Sequence, residues 1–384
     1  MKFIHTADLH IGKNVNEFSM LKEQEHVLNQ ILSIAEEEKV DALLIAGDIY
    51  DRSVPSSEAV VLLDTFLSKA IHLGIQVFAI SGNHDSPERI GFAYDILKRK
   101  GLYMCGMLNK EMSHVEWEDA YGKVNIYMLP FAKPAQVRYL HEDDKVVTCE
   151  DSVRKMISNT EINQQERNLL ITHHFVTSGS VEPECSDSET RISIGGTDNV
   201  DSSVFEPFDY VALGHIHGPQ RIGRDTIRYS GSPIKYSFSE VYHKKSVTLI
   251  ELREKGIIDL RVRELSPLHD MRRIKGELNE LLKEDVYKQA DVNDYLQVTL
   301  TNKQELLDPM GTLRSIYPNV MQIIFEKNMR KSDTTFEAGH SQRRKTMFEL
   351  YQDFFEYVTG DPFEGESEAV MRELIEDELG GEVV

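Results

Sequence analysis

Five short apolar segments of this chain each run directly into a cluster of Asp, His or Asn, and this coincidence restricts the fold more than any other feature. Phe3-Ile4 leads to Asp8-Leu9-His10, and 40–46 leads to Gly47-Asp48-Ile49-Tyr50-Asp51-Arg52. The run 75–80 leads to Gly82-Asn83-His84-Asp85, 169–172 to His173-His174, and 210–213 to Gly214-His215-Ile216-His217. Such runs have the length of buried strands. In an open α/β sheet a ligand lies beyond the carboxyl ends of the strands, so five strand ends deliver these groups to one place. Singly, each cluster is an ordinary turn or surface pair. In register with five strands, they point to a metal site.

The intervening sequence supports an α/β layering. Leu21, Leu28, Ile31, Leu32 and Ala35 keep helical spacing, as do Leu63, Phe66, Leu67, Ala70 and Ile71 ahead of Gly74, a suitable C′ residue. Ser86-Pro87 opens a further helix. The segment 124–129 reads as another strand, and 226–229, 246–252 and 257–262 read as later antiparallel strands, giving two sheets packed between helices. At 384 residues the chain exceeds one ordinary core, since domains cluster at roughly 100–200 residues. We expect a large domain over 1–265 and a small α+β unit over 266–330. In that unit a helix-like stretch precedes the strand 295–300, a helix near 306–316 and the strand 320–325. A polar linker, 331–345, leads to a helical tail over 346–384. Met347, Leu350, Tyr351, Phe354 and Val358 form an apolar stripe on the tail, widened by Phe348 and Phe355, and an acidic helix near 368–379 follows.

Composition excludes several classes. No apolar run reaches the roughly 18–20 residues of a membrane span, and the start lacks a signal-peptide core, so a cytoplasmic location is expected. Cys105, Cys149 and Cys185 have neither disulfide nor zinc-ribbon spacing and read as bystander thiols. With 43 Lys and Arg against 64 Asp and Glu, the net charge of −21 argues against holding nucleic acid by bulk electrostatics. It leaves room for an enzyme that meets phosphate through metal ions.

Carboxylate, amide oxygen and imidazole without thiolate suit a hard or borderline divalent ion such as manganese, iron or zinc. Asp8, His10, Asp48, Asn83, one of His173 and His174, His215 and His217 are more ligands than one ion needs. With a bridging carboxylate they fit two ions about 3.5–4 Å apart, an arrangement suited to in-line displacement at phosphorus.

The succession D-x-H, G-D-x-x-D-R, G-N-H-D, H and G-H-x-H resembles the signature of the calcineurin-like binuclear metallophosphoesterases, and all five parts stand in order. Residues 47–56, Tyr229-Ser230-Gly231-Ser232-Pro233, Ser237-Phe238-Ser239-Glu240 and Ile194-Gly195-Gly196-Thr197 resemble its SbcD-like branch of nuclease subunits. The resemblance implies a four-layer α/β sandwich with a small α+β capping domain and a C-terminal helical tail. It implies that Asp8, His10, Asp48 and His217 hold one metal, and Asp48, Asn83, His173 and His215 the other. Relatives with His-x-Phe favour His173 over His174. His84 then faces the scissile phosphate as proton donor or transition-state stabiliser, with Asp85 orienting it. Arg52 either steadies the phosphate or pairs with Asp51.

The resemblance further implies two Mn2+ ions and a 3′→5′ exonuclease on double-stranded DNA that is also an endonuclease on single strands and hairpins. Its partner would be an SbcC-like ATPase, in DNA end processing, replication, repair and recombination, with a homodimer inside a heterotetramer. Met347, Leu350, Tyr351, Phe354, Phe355 and Val358 would dock on the ATPase. The same metal centre also serves phosphoprotein phosphatases and cyclic-nucleotide phosphodiesterases. A scaffold that had lost its metals would lack ligands, and here none is missing. His5, His26 and His72 read as ordinary satisfied or surface residues. Arg272-Arg273 and Arg343-Arg344-Lys345 read as solvated faces or DNA-backbone contacts. The acidic run 182–189 carries no chemistry that the sequence identifies.

Overall fold

The computed structural model describes residues 1–189, 197–326 and, in the tail, Phe348, Tyr351, Gln352, Phe355, Phe363, Glu368 and Met371. Two six-stranded sheets face each other. The first runs, edge to edge, through Ile258–Glu264, Ser246–Leu252, Lys2–Thr6, Ala42–Ile45, Gln76–Ile80 and Leu102–Cys105. The second runs through Gln220–Ile222, Arg224–Tyr229, Tyr210–Gly214, Arg167–His173, Gly122–Leu129 and Ser113–Asp119.

Successive residues of a strand point to opposite faces, and here both faces are covered, so the central strands are apolar throughout. Phe3, Leu44, Phe78 and Ile80 meet Ile126, Met128, Ile171 and Ala212 between the sheets. Ile4, Leu43, Ile45 and Val77 turn outward onto two helices, Leu21–Glu38 and Ser57–His72. On the far side Leu170, Val211 and Leu213 pack with Val137, Val153 and Met156 of the helices Pro134–His141 and Cys149–Ser158. The result is four layers, helices, sheet, sheet, helices, as the motif pattern implies. Each fully buried large side chain contributes roughly 1.5–3 kcal/mol of transfer free energy.

Helix ends follow local chemistry. The Ser56 hydroxyl accepts the Ala59 N–H at 3.3 Å, and Thr148 with Asp151 forms a capping box. Gly74, at φ +78°, follows the last turn of Ser57–His72 as expected. The helix at Ser86-Pro87 is one turn, Pro87–Ile90.

Three strand readings need correction. Arg224–Tyr229 pairs parallel with Tyr210–Gly214 and is antiparallel only to Gln220–Ile222. Leu102–Cys105, an apolar run of only four residues, and Ser113–Asp119, where Val115 and Trp117 alternate with polar residues, are further strands, and each closes a sheet. The stretch after Pro267 begins with a strand, Met271–Gly276, rather than a helix: Met271, Ile274, Leu278 and Leu281 mimic helical spacing across a strand and a short helical turn. This strand forms a three-stranded parallel sheet with Tyr295–Leu300 and Val320–Phe325, with the helix Pro309–Arg314 between the last two.

The small sheet is seated on the helix Leu21–Glu38. Buried Glu23 accepts hydrogen bonds from Leu268 N (3.0 Å), His269 N (3.2 Å), His269 Nδ1 (2.7 Å) and Tyr295 OH (3.4 Å). Met20, Val27, Ile234 and Tyr236 pack there against Met271, Tyr295 and Met321. Among the described residues no helix is long and apolar enough to cross a membrane.

Candidate metal centre

The five strand ends meet where the sequence places them, because the backbone turns sharply as it leaves each strand. Asp8, His10, Asp48 and His215 all have positive φ, at 53°, 42°, 48° and 107°. Such conformations are costly for residues with a Cβ and gather at functional sites. The turns also demand close packing. A Cβ on Gly82 would lie 2.1 Å from Asp48 Oδ1, and one on Gly214 would lie 1.9 Å from the Ala46 carbonyl, which explains glycine ahead of Asn83 and His215. Backbone hydrogen bonds tie the ends together, with Asp8 N donating to Gly47 O (3.1 Å) and His10 N to Asp48 O (2.9 Å).

The side chains fall into two groups around Asp48. On one side His10 Nε2 and His217 Nε2 approach to 3.2 Å, beside Asp8. On the other, Asn83 Oδ1 lies 3.0 Å from His173 Nε2 and 3.1 Å from His215 Nδ1. Asp48 Oδ2 sits between them, 3.6 Å from His10 Nε2 and 3.4 Å from His173 Nε2. All seven residues of the expected ligand set except Asn83 are buried, Asp8 and His173 completely.

Burial and neighbouring charges shift these groups. It pushes the Asp8 carboxyl up to about 7, against the pull of His173 and His217. Burial also opposes charge on Asp48 and His173, but each outweighs that for the other, so Asp48 stays well below the usual carboxylate range and His173 rises to about 9. His215 is driven down to about 3 by burial, and His10 also falls. His173 Nδ1 donates to the Ala46 carbonyl at 2.8 Å, so the proton on its Nε2, facing Asp48 and Asn83, stands where a cation would stand. His10 Nδ1 is buried with no hydrogen-bond partner among the described residues. Two opposed imidazole nitrogens, an orphaned one and two buried carboxylates fit divalent cations: three groups, Asp8-His10-His217, Asp8-Asp48-His173 and His10-Asp48-His84, have ligand atoms within 4.8 Å of one another.

His173 and His174 diverge, as neighbours at a strand end do. His173 points into the centre. His174 turns away, accepting the Ala132 N–H at 3.2 Å and lying 2.9 Å from Thr172 Oγ1. His173→Ala is therefore expected to lower metal occupancy. His174→Ala should keep it and cost roughly 1–3 kcal/mol of stability through the orphaned Ala132 N–H. Metal analysis alongside denaturant unfolding separates the two, and the reverse pattern would shift the register by one residue.

His84 lies at the mouth, its side chain 24% exposed, with Nδ1 3.0 Å from the Asp51 carbonyl and Nε2 4.0 Å from Asp48 Oδ2. Asp85 does not orient it. The Asp85 carboxylate accepts the N–H groups of Ile49 (3.0 Å), Tyr50 (2.9 Å) and Gly82 (2.9 Å), so it braces the two loops that carry Asp48 and Asn83. Arg52 is 80% exposed and stands 3.7 Å from Asp51, whose firmer partner is Lys13 at 2.6 Å. Arg272 is engaged by Asp294 and the Asp291 carbonyl. Arg343, Arg344 and Lys345 lie outside the described residues. His5 is satisfied by Tyr210 and Leu213.

Sequence reasoning missed Lys13 and Tyr236, whose ring edges onto His10 and His217. It also missed Ser188 and Glu189, whose side chains reach His217 from the acidic run that had no assigned chemistry.

Hard donors without thiolate, gathered by strand ends around a shared carboxylate, are what a metallohydrolase with two divalent ions needs, and that is the class the fold and site define. Residues 1–219 match the model of the calcineurin-like phosphoesterases, and 267–359 match the SbcD C-terminal model, described as the type 5 capsule protein repressor C-terminal domain. The chain belongs to the calcineurin-like phosphoesterase family, in its SbcD-like branch. Similar solved structures include a dimetal phosphatase from Danio rerio, at 12% identity and TM-score 0.40 over 69% of this chain and 96% of that one. A protein from Thermus thermophilus matches at 9% identity and TM-score 0.40 over 68% of this chain and 98% of that one.

Proposed function

We propose that this chain is the nuclease subunit of a DNA end-processing complex, acting as a 3′→5′ exonuclease on double strands and as an endonuclease on single strands and hairpins, with an SbcC-like ATPase as partner. The observation that carries the reading is a donor set, buried but for Asn83, in a chain that also matches the SbcD C-terminal model. Asp8, His10, Asp48 and His217 would hold one Mn2+, and Asp48, Asn83, His173 and His215 the other. Bound there, the pair supplies charge neutralisation to the phosphate and a lowered pKa to water.

The chain's own residues do the rest. With Nδ1–H donated to the Asp51 carbonyl, His84 keeps Nε2 at the open side of the centre, where it can give or take a proton at the leaving oxygen. Asp85 holds the Asp48 and Asn83 loops in register, and exposed Arg52 is placed to reach a phosphate arriving at the mouth. In this reading residues 1–265 are the nuclease domain, 266–330 the cap, 331–345 a linker and 346–384 the partner-binding tail. The protein works in the cytoplasm as a homodimer within a heterotetramer. The test is manganese-dependent hydrolysis of a linear duplex and a hairpin beside p-nitrophenyl phosphate and a cyclic nucleotide. Turnover of only the last two would replace the nuclease with a small-substrate phosphodiesterase.

Met347, Leu350, Phe354 and Val358 lie outside the described residues. The others are informative, for the rings of Phe348, Tyr351 and Phe355 gather on Phe363, at centroid distances of 5.7, 5.5 and 5.0 Å. This supports a tail with an aromatic cluster of its own, the kind of anchor that dominates helix recognition. Deleting residues after Arg330 is expected to abolish co-purification with the ATPase while manganese-dependent cleavage survives. Unchanged affinity of the truncated chain would remove the tail as docking element.

A further inference from the structure

Behind His217 lies a chain of polar groups, buried at Glu240 and Lys245, that the proposed chemistry does not use. Glu240, on the turn Phe238–Glu240, is fully buried. Its Oε2 accepts from Lys245 Nζ at 2.5 Å, and the same ammonium donates to the His217 carbonyl (2.9 Å) and Ser232 Oγ (2.8 Å). Paired with a buried lysine, the Glu240 carboxylate is an acceptor only. Its Oε1 lies 2.6 Å from Ser188 Oγ, and Ser188 Oγ lies 2.7 Å from His217 Nδ1.

A hydroxyl has one proton to give. Were Ser188 to donate to His217, two oxygen lone pairs would face each other across 2.6 Å at Glu240. Ser188 therefore donates to Glu240 and can only accept from His217, which makes His217 Nδ1 the protonated nitrogen. The lone pair is then on Nε2, the atom that faces His10 Nε2 at 3.2 Å. Glu189 Oε1 accepts the His217 backbone N–H at 2.6 Å and fixes the main chain at the same point.

We propose that Glu240, acting through the Ser188 hydroxyl and anchored by Lys245, is a positioning residue that sets the tautomer of His217 and presents its Nε2 lone pair to the metal. Outer partners of this kind orient metal-bound imidazoles and raise their affinity. The inference rests on the reading of His217 as a ligand, but the tautomer is a property of the metal-free chain and can be read without any metal.

Glu240→Gln is the discriminating variant. Its amide oxygen can still accept from Lys245, while its NH2 would donate to Ser188, turning the hydroxyl round to donate to His217 Nδ1. Imidazole 15N NMR of the chelator-treated full-length protein, with His217 assigned by signal loss in His217→Gln, should show an Nδ1–H tautomer in the wild type and Nε2–H in Glu240→Gln. Calorimetric titration with Mn2+ should show one of two sites weakened roughly 10–100-fold in Glu240→Gln and Ser188→Ala, with Ser188→Thr restoring it. If Glu240→Gln does not fold, the partly exposed Ser188 pair decides the matter. An Nε2–H tautomer in the wild type, or unchanged affinity in Ser188→Ala, overturns the proposal. Failure of the wild type to bind manganese overturns the metal reading instead and leaves the tautomer result standing.

Discussion

Asp48→Asn should remove phosphoester hydrolysis, by more than the roughly 10–100-fold typical of losing an outer-shell partner, because it alters the carboxylate proposed to bridge the two ions, which lies between His10 and His173. The change is nearly isosteric. The carboxamide oxygen can keep the 2.9 Å hydrogen bond from His84 N, and Gly82 still leaves room for it, so the fold should persist with cooperative unfolding. What is lost is the charge. In the metal-free wild type Asp48 holds a proton on His173, lifting it to about 9, so at neutral pH a metal ion must displace that proton. The sign follows: apparent manganese affinity of the wild type rises as pH is raised toward 9, and uptake at pH 7 releases a proton. In Asp48→Asn the burial of His173 is no longer opposed by this carboxylate, its pKa falls, and the proton release attributable to it disappears. Calorimetry in two buffers of different ionisation enthalpy measures this directly. Wild-type nuclease activity in the variant at saturating manganese would sink the two-metal assignment.

Much of this centre was legible because the pleat and the turn both leave marks in sequence. Strands buried on two faces read as continuous apolar runs, and glycine ahead of Asp48, Asn83 and His215 marks places where backbone passes too close for a side chain. The resemblance implied how the ligands divide; in the structure His10 approaches His217, and Asn83 approaches His173 and His215. The illegible parts depend on tertiary contact alone. Asp85 follows His84 in the chain, and the resemblance implied that it orients His84. The fold instead turns Asp85 toward the Ile49, Tyr50 and Gly82 amides. Ser188 is 29 residues from His217 and Glu240 is 52 from Ser188, with no periodicity linking them. A resemblance in the stretch ending at Glu240 was the only signal, and it carried no role. Met271–Gly276 failed for the opposite reason: its apolar spacing is a helix's, and only pairing with Tyr295–Leu300 makes it a strand.

His84→Ala is the variant that separates binding from chemistry. Geometry alone leaves His84 two roles, since its ring lies edge-on to His10 at 4.8 Å and its Nε2 is 4.0 Å from Asp48 Oδ2, near enough for it to join a ligand group. Two observations favour the phosphate. The six other histidine and aspartate residues of the donor set are buried, whereas His84 stands at the mouth with a quarter of its side chain in solvent. Its Nδ1 is tied to the Asp51 carbonyl, which aims Nε2 across the opening. A proton donor needs access to substrate, and a ligand that completes a closed shell does not. The substitution should keep two metal ions per chain by plasma mass spectrometry and lose roughly 10²–10⁴ in turnover, the span for one positioned acid. The loss should fall on kcat with little change in KM, because a group that acts on the leaving oxygen binds the transition state and not the ground state. A substrate with a better leaving group should recover part of the rate, since an activated ester needs less protonation. Loss of bound metal in His84→Ala, with no recovery on the activated ester, would make His84 a ligand and leave the leaving oxygen without a donor from this chain.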